Sequence, residues 1–194
     1  MAKPWYARKR FQKKLISLLI GLIIVAAGYY SESRSASNTT AAPAPAGMYH
    51  IVRFDDGDTI VVDMNGVEEK IRFIGVDTPE TQDPRKAVQC FGKAASNYTQ
   101  GRIGDQPIRL ETDPLSTNRD RYNRLLRYVY LPDGTLMNLD IIQQGYGFAY
   151  LSFPFTKSDE FRAAQTTARE QTKGLWSSCK PTPNQYGGYT SNDE

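Results

Sequence analysis

A chain of 194 residues with 40% hydrophobic and 23% charged residues has the composition of a folded protein, and enough length for one domain with its own core. Its net charge of +3 is unevenly placed: six basic residues lie in the first fourteen positions, and the remainder carries −3. That balance excludes a broad basic footprint, so any affinity for a polyanion rests on a few placed groups or a metal ion.

In chain order, residues 1–14 read as a basic cytoplasmic segment with Lys3, Arg8, Lys9, Arg10, Lys13 and Lys14 and no acid. Residues 15–30, "LISLLIGLIIVAAGYY", hold no charge. The pattern fits a transmembrane signal anchor or a cleaved signal peptide, with the basic flank keeping the N-terminus inside. Either way the rest of the chain is expected outside the cytoplasm, at the cell membrane or secreted. Residues 31–47 are small, polar and Pro/Ala-rich and read as a flexible stalk. Residues 48–179 form the expected domain, and 180–194 read as a disordered tail.

Within the domain "YHIVRF" reads as a strand. "TIVVDM" and "VEEKIRFIGV" flank Asn65-Gly66, the strongest short hairpin signal. "PIRLET" and "LLRYVYL" are further strands. Helices are expected over "AVQCFGKAASNYTQGRI", with Gly92 as a blemish near its start, and over "MNLDIIQQG", with Asn138 as N-cap and Gly145 as C-cap. A third covers "KSDEFRAAQTTAREQTKGLW", with Ser158 as cap. This order suits an α+β fold, a small antiparallel barrel with helices packed on it.

Cys90 and Cys179 are the two cysteines. An even count in an exported domain favours a disulfide, the alternative being two unrelated buried thiols. His50 is the single histidine, which argues against a zinc or histidine-dependent site.

The acids carry the chemistry. "DDGDT" sets Asp55, Asp56 and Asp58 just before a strand, and "VDTPE" sets Asp77 and Glu80 at the end of its hairpin partner. Each motif alone reads equally as a polar turn or a loop exit. Together they bring Asp58 and Asp77 to one end of the ribbon, where converging carboxylates call for a hard cation, Ca²⁺ before Mg²⁺. Thr78 offers its carbonyl. Arg72 and Arg124 match a phosphoryl group with their guanidinium forks, although an isolated strand arginine more often makes a surface ion pair. Glu80 is placed to orient or deprotonate water. One difficulty is parity: Arg72 lies five residues before Asp77, so on a flat strand they face opposite sides. Their convergence requires a bulge or strong curvature near Gly75.

Six segments in order carry a resemblance: "DGDT" at 56–59, "RFIGVDTPET" at 72–81, "FGKAAS" at 91–96, "DRYNRLLRYVYLPDG" at 120–134, "NLDIIQQGYGFAY" at 138–150 and "GLW" at 174–176. The chain resembles the staphylococcal nuclease (thermonuclease) family across its whole exported domain. The resemblance implies a five-stranded OB-type β-barrel with three helices, and Ca²⁺-dependent hydrolysis of DNA and RNA to 3′-phosphate ends by a monomer. By position it implies Asp58, Asp77 and the Thr78 carbonyl as metal ligands, with Asp56 as an acid close to the metal. It implies Arg72, Glu80 and Arg124 as the catalytic groups. Arg121, Tyr122 and Tyr150 would bind substrate, and Phe153 stands in for a second pocket tyrosine where "LSFPFTK" is about one residue short. The rival reading is a catalytically inactive OB-type module that binds nucleic acid or protein. Against it stand the five charged groups Asp58, Asp77, Glu80, Arg72 and Arg124, which a dead module has no reason to keep.

Overall fold

The computed structural model describes residues 46–81, 88–185 and 188–193, all within the unit Ala44–Glu194. The basic segment, the apolar run and the stalk up to residue 45 lie outside the described residues, and with them the expected N-terminal helix. Among the described residues no helix is long and apolar enough to cross a membrane.

The chain begins with β1 (Met48–Tyr49) and β2 (Ile51–Asp56), separated by His50 alone. β3 (Thr59–Asp63) and β4 (Glu68–Phe73) follow as a hairpin in the register Thr59↔Arg72 to Asp63↔Glu68. Its turn sits where Asn65-Gly66 predicts it. Both residues have positive φ (60° and 86°), which matches the right-handed twist of the strands. β5 (Val76–Asp77) is a short continuation, and β6 (Ile108–Glu111) and β7 (Leu125–Tyr130) come later.

The sheet order is β1-β6-β7-β4-β3-β2. Its two edges, β1 and β2, are therefore one residue apart in the chain, and the sheet must curl to join them. Register shifts along β2 supply irregularity for the bend. Counted with β1 and β2 as one bent strand, five strands form a curled sheet that fits the OB-type α+β expectation. The expected all-antiparallel pairing is corrected: β4 and β7 run parallel, Ile71 opposite Leu125. The connection between them runs through β5, a helix and β6, long enough for the crossover that parallel neighbours need.

Four helices are described rather than three: α1 (Gly92–Ile103), α2 (Met137–Gln143), α3 (Ser158–Glu170) and the single turn α4 (Leu175–Ser178). α3 buries Phe161, Gln165 and Ala168, one stripe at helical spacing. Of these, Phe161 joins Ile60, Ile71, Phe73, Val129, Ile141 and Ile142 in the main hydrophobic core. Two cap expectations are corrected. Ser158 is the first helical residue of α3, and its cap position is Lys157, with no side-chain cap bond. Asn138 lies inside α2, fully buried. Its Oδ1 accepts from the Val129 N–H at 2.9 Å, while Nδ2 donates to the Ile74 and Arg127 carbonyls. A residue typical of caps here satisfies backbone groups where β4 and β7 part.

Another buried polar group, Asp113, ties three segments together. Its carboxylate accepts from the N–H groups of Leu115, Ser116 and Thr156, and from the hydroxyls of Tyr128 and Thr156. Burial opposes its charge, but these donors outweigh that and hold the carboxyl below the usual range. Asp113→Ala is expected to destabilise the domain by about 2–4 kcal/mol in urea titrations near neutral pH. A depressed folded pKa adds stability that is full above the unfolded value near ~4 and fades as pH falls through the folded one. The gap between wild type and variant should therefore narrow in acid; a gap constant down to pH ~2 would contradict it.

Residues 180–194 were expected as a disordered tail. Their described part folds back as the ribbon β9 (Thr182–Pro183) and β10 (Tyr189–Thr190). The Tyr189 ring packs at 6.2 Å on Phe148 and 5.0 Å on Trp176. Composition cannot anticipate this, because the aromatic cluster that receives Tyr189 exists only once α4 is docked.

Candidate active site

One end of the β3–β4 ribbon collects the acids. Asp58 occupies the two-residue turn between β2 and β3, with its carbonyl accepting from the Phe73 N–H at 2.9 Å. That bond registers the turn on the end of β4, beside Arg72. The side chain of Asp58 is 5% exposed. Oδ1 accepts from the Thr59 hydroxyl at 3.0 Å, and Oδ2 accepts from the Thr78 N–H at 2.8 Å and the Thr78 hydroxyl at 3.1 Å. Oδ2 also lies 2.8 Å from Arg72 Nη1.

Arg72 bridges the two halves of the site. Its Nη1 donates to the Val76 carbonyl at 2.8 Å and its Nη2 to Asp77 Oδ1 at 2.9 Å. The parity difficulty is resolved at Gly75. β4 stops at Phe73, Gly75 adopts φ 72°, and the chain resumes as β5, so Asp77 returns to the face of Arg72. A side chain could not make this turn, since a Cβ on Gly75 would lie 2.6 Å from Phe155 Cζ. β5 is then pinned by pairing with β8 (Phe148–Ala149), Asp77 opposite Phe148.

The charges do not balance locally. Burial favours the neutral form of Arg72, yet the carboxylates of Asp58, Asp77 and Asp56 overcome it and raise its already high pKa. The carboxyl of Asp56 is pushed up by burial and by the negative charge of Asp58 and Glu80, against the Gly57 N–H and Arg72. Asp77 is pushed up by its surroundings and by Asp58 and Glu80, against Arg72. Solvent tempers the effect on Asp77, whose side chain is 46% exposed. Three carboxylates around one guanidinium, with Glu80 adding its charge against Asp56 and Asp77, is an arrangement that a further cation would relieve. Among the described residues, however, no group of three or more histidine, cysteine or acidic side chains stands close enough to hold a metal ion. The set expected from sequence is different, two carboxylates and the Thr78 carbonyl.

Glu80 lies on the segment leaving β5. Its N–H donates to Gln89 Oε1 at 2.8 Å, its carbonyl accepts from the Gln89 N–H at 3.0 Å, and its Oε1 accepts from the Thr81 N–H at 2.9 Å. Gly92, the apparent blemish, opens α1 against this segment. A Cβ there would stand 2.7 Å from Thr81 Cγ2 and 3.1 Å from the Glu80 carbonyl oxygen. Gly92→Ala is therefore expected to displace Glu80 and lower kcat about ten- to a hundredfold, with the fold retained. Unchanged kinetics would show that the segment yields without moving Glu80.

Arg124, Arg121 and Tyr122 form a second group, on the turn before β7. Asp120 organises it: its Oδ1 accepts from the N–H groups of Tyr122 and Arg124, and its Oδ2 from Arg124 Nε at 2.7 Å. Arg121 and Arg124 stand 4.7 and 5.4 Å from the Tyr122 ring centre. No contact joins Arg124 to Arg72 among the described ones, but the β4–β7 register pairs Arg72 with Leu126. Arg124 is two residues earlier, directly before β7 begins. Tyr150 anchors its N–H on the Gly75 carbonyl at 2.8 Å, and its ring lies 5.9 Å from Phe153. Both rings are exposed, Tyr150 by 37% and Phe153 by 66%, and Tyr150 lies within the electrostatic reach of Arg72.

Cys90 and Cys179 are joined as a disulfide, Cα atoms 6.0 Å apart. The sequence reading missed two supporting residues. Asp120 had a visible signal, an acid four residues before Arg124 in a polar turn. Gln89 had none, since its contact with Glu80 depends on where α1 docks.

Residues 70–178 match the family described as staphylococcal nuclease homologue. The chain is 35% identical over 170 residues to a thermonuclease of Staphylococcus hyicus, covering 87% of this chain and 99% of that protein. It is 39% identical over 132 residues to a thermonuclease of Staphylococcus intermedius, covering 66% and 75%. With endonuclease YncB of Bacillus subtilis strain 168 it shares 38% over 124 residues, covering 63% and 58%.

Proposed function

This chain belongs to the staphylococcal nuclease family and is a nuclease, and from that premise we propose that it is a Ca²⁺-dependent phosphodiesterase acting on DNA and RNA and releasing 3′-phosphate ends. The observation that carries the reading is the seat of Arg72 between Asp58 and Asp77, in a pocket of excess negative charge. A guanidinium and a nest of carboxylates are the two halves of a phosphodiester site: one grips the phosphate, the other holds a hard cation.

The residues that would hold Ca²⁺ are Asp58, Asp77 and the Thr78 carbonyl, with Asp56 adjusting the local charge. When bound, the ion supplies a positive charge opposite the nonbridging phosphoryl oxygens. Arg72 binds those oxygens through its paired N–H groups and stabilises the charge that grows on them. Arg124, braced by Asp120, adds a second fork from the β7 side. Glu80 orients the attacking water and takes its proton as the new P–O bond forms, while the P–O5′ bond breaks and the leaving 5′-oxygen takes a proton from solvent. Arg121 and Tyr122 bind a flanking phosphate, and Tyr150 with Phe153 offers an exposed aromatic surface on which a base stacks.

The site works outside the cytoplasm in this reading. Residues 1–14 stay inside, 15–30 anchor the chain or are removed as a signal, 31–47 act as a stalk, and 48–179 are the nuclease domain of a monomer. N-terminal sequencing of the mature protein separates the two cases: an intact start means an anchor, a start within 31–47 means cleavage.

The decisive experiment digests denatured DNA and RNA with the full chain, with Ca²⁺ or with chelator. Wild type should cleave only with Ca²⁺, and Glu80→Ala should lose about 10²–10⁴ in rate. Equal cleavage by wild type and Glu80→Ala sinks the role of Glu80. Undiminished cleavage in chelator sinks the cation.

A further inference from the structure

We propose that Gln89 is a positioning residue for Glu80, and that the C-terminal segment 191–193 serves the active site by holding Gln89 in place. The inference rests on the reading of Glu80 as the water-handling group.

Gln89 addresses Glu80 twice. Its side-chain oxygen accepts from the Glu80 N–H at 2.8 Å, and its own N–H donates to the Glu80 carbonyl at 3.0 Å. Both backbone polar groups of Glu80 are thus satisfied by one residue nine positions away. The carboxylate is braced locally by the Thr81 N–H. Together these bonds set the direction in which the Glu80 side chain leaves the backbone. No hydrogen bond or ion pair joins Gln89 to Asp56, Asp58, Asp77 or Arg72 among the described contacts. Its action on the site runs through Glu80.

The other side of the Gln89 segment is held by the end of the chain. Gln89 forms an antiparallel bridge with Asp193. The Cys90 N–H donates to the Asn192 carbonyl at 2.7 Å, and the Ser191 hydroxyl donates to the Cys90 carbonyl at 2.8 Å. Ser191 is 5% exposed. The Lys180 N–H donates to Asn192 Oδ1 at 3.0 Å, directly after Cys179, which the disulfide joins to Cys90. Segment 89–90 therefore sits between Glu80 and segment 191–193, hydrogen-bonded to both. These bonds lie outside the main core, and their register ends on the backbone of a catalytic carboxylate. A group that handles water must be held to a fraction of an ångström, and an unbraced loop does not do that.

The test measures kcat and KM on single-stranded DNA for the full chain carrying Gln89→Ala, Gln89→Glu, Ser191→Ala, Glu80→Ala and the double variant Gln89→Ala/Glu80→Ala. Gln89→Ala is expected to lower kcat about ten- to a hundredfold with KM within about twofold. Gln89→Glu keeps the accepting oxygen and should recover most of that loss. Ser191→Ala, remote from the acids and one bond poorer, should lower kcat severalfold in the same pattern. In the Glu80→Ala background, Gln89→Ala should change nothing further, because a positioning residue has nothing left to position. The proposal is overturned if Gln89→Ala leaves kcat unchanged while Glu80→Ala is inactive, or if the two losses multiply. A fully active Glu80→Ala overturns the underlying reading instead. Should Gln89→Ala not fold, Ser191→Ala and Gln89→Glu decide: KM rising with kcat unchanged in Ser191→Ala, or no activity in Gln89→Glu, counts against it.

Discussion

Arg72→Ala is expected to lower kcat at least a hundred- to a thousandfold on DNA and RNA, and to destabilise the folded domain by about 3–5 kcal/mol as well. Two effects coincide because one guanidinium does two jobs. It grips the phosphate in the proposed mechanism, and in the resting fold it offsets the charge of Asp58, whose side chain is 5% exposed. Removing it leaves Asp58 buried without its cation and Asp77 without its partner at 2.9 Å. Arg72→Lys separates the jobs. An ammonium restores the charge and much of the stability but lacks the fork, so kcat should stay low. Single-turnover cleavage and urea denaturation of the three proteins read the two effects. An alanine variant as stable as wild type would show that the surrounding acids discharge rather than depend on Arg72.

Reducing the Cys90–Cys179 bridge is expected to destabilise the domain by about 4–5 kcal/mol. The bond spans 89 residues and closes most of the domain into one loop, so it restricts the unfolded chain strongly. It also joins the start of α1 to the end of α4, two elements linked otherwise by the small cluster around Phe148 and Leu175. Urea midpoints with and without dithiothreitol measure this. Coincident curves would show that the unfolded chain is already constrained.

Much of the site is legible in sequence because its chemistry sits in short local segments. Asn65-Gly66 dictates a tight hairpin, and that hairpin carries Asp58 and Asp77 to one end with little freedom. For Arg72 and Asp77 to converge, their spacing calls for a bulge or strong curvature near Gly75, and the strand breaks there, with Gly75 at φ 72°. The features that escaped are contacts between distant segments. Asn138 looks like a cap and is a buried clamp between strands, because α2 docks where β4 and β7 diverge. The tail reads as disordered, yet its described part forms a ribbon, because Tyr189 meets rings contributed by two other elements. Gly92 looks like a flaw in a helix and is the place where α1 touches the Glu80 segment.

By itself, then, the order of residues determined the turns, the strand and helix periods, and the chemical inventory of one arginine among acids. All of these depend on neighbours a few positions apart, where steric and hydrogen-bonding preferences act directly. The tertiary structure alone decided which segments meet: β4 beside β7 in parallel, Gln89 against Glu80, and segment 191–193 behind Gln89. Those pairings are selected by the shared burial of surfaces far apart in the chain, and no local preference of Gln89 or Asn192 encodes them.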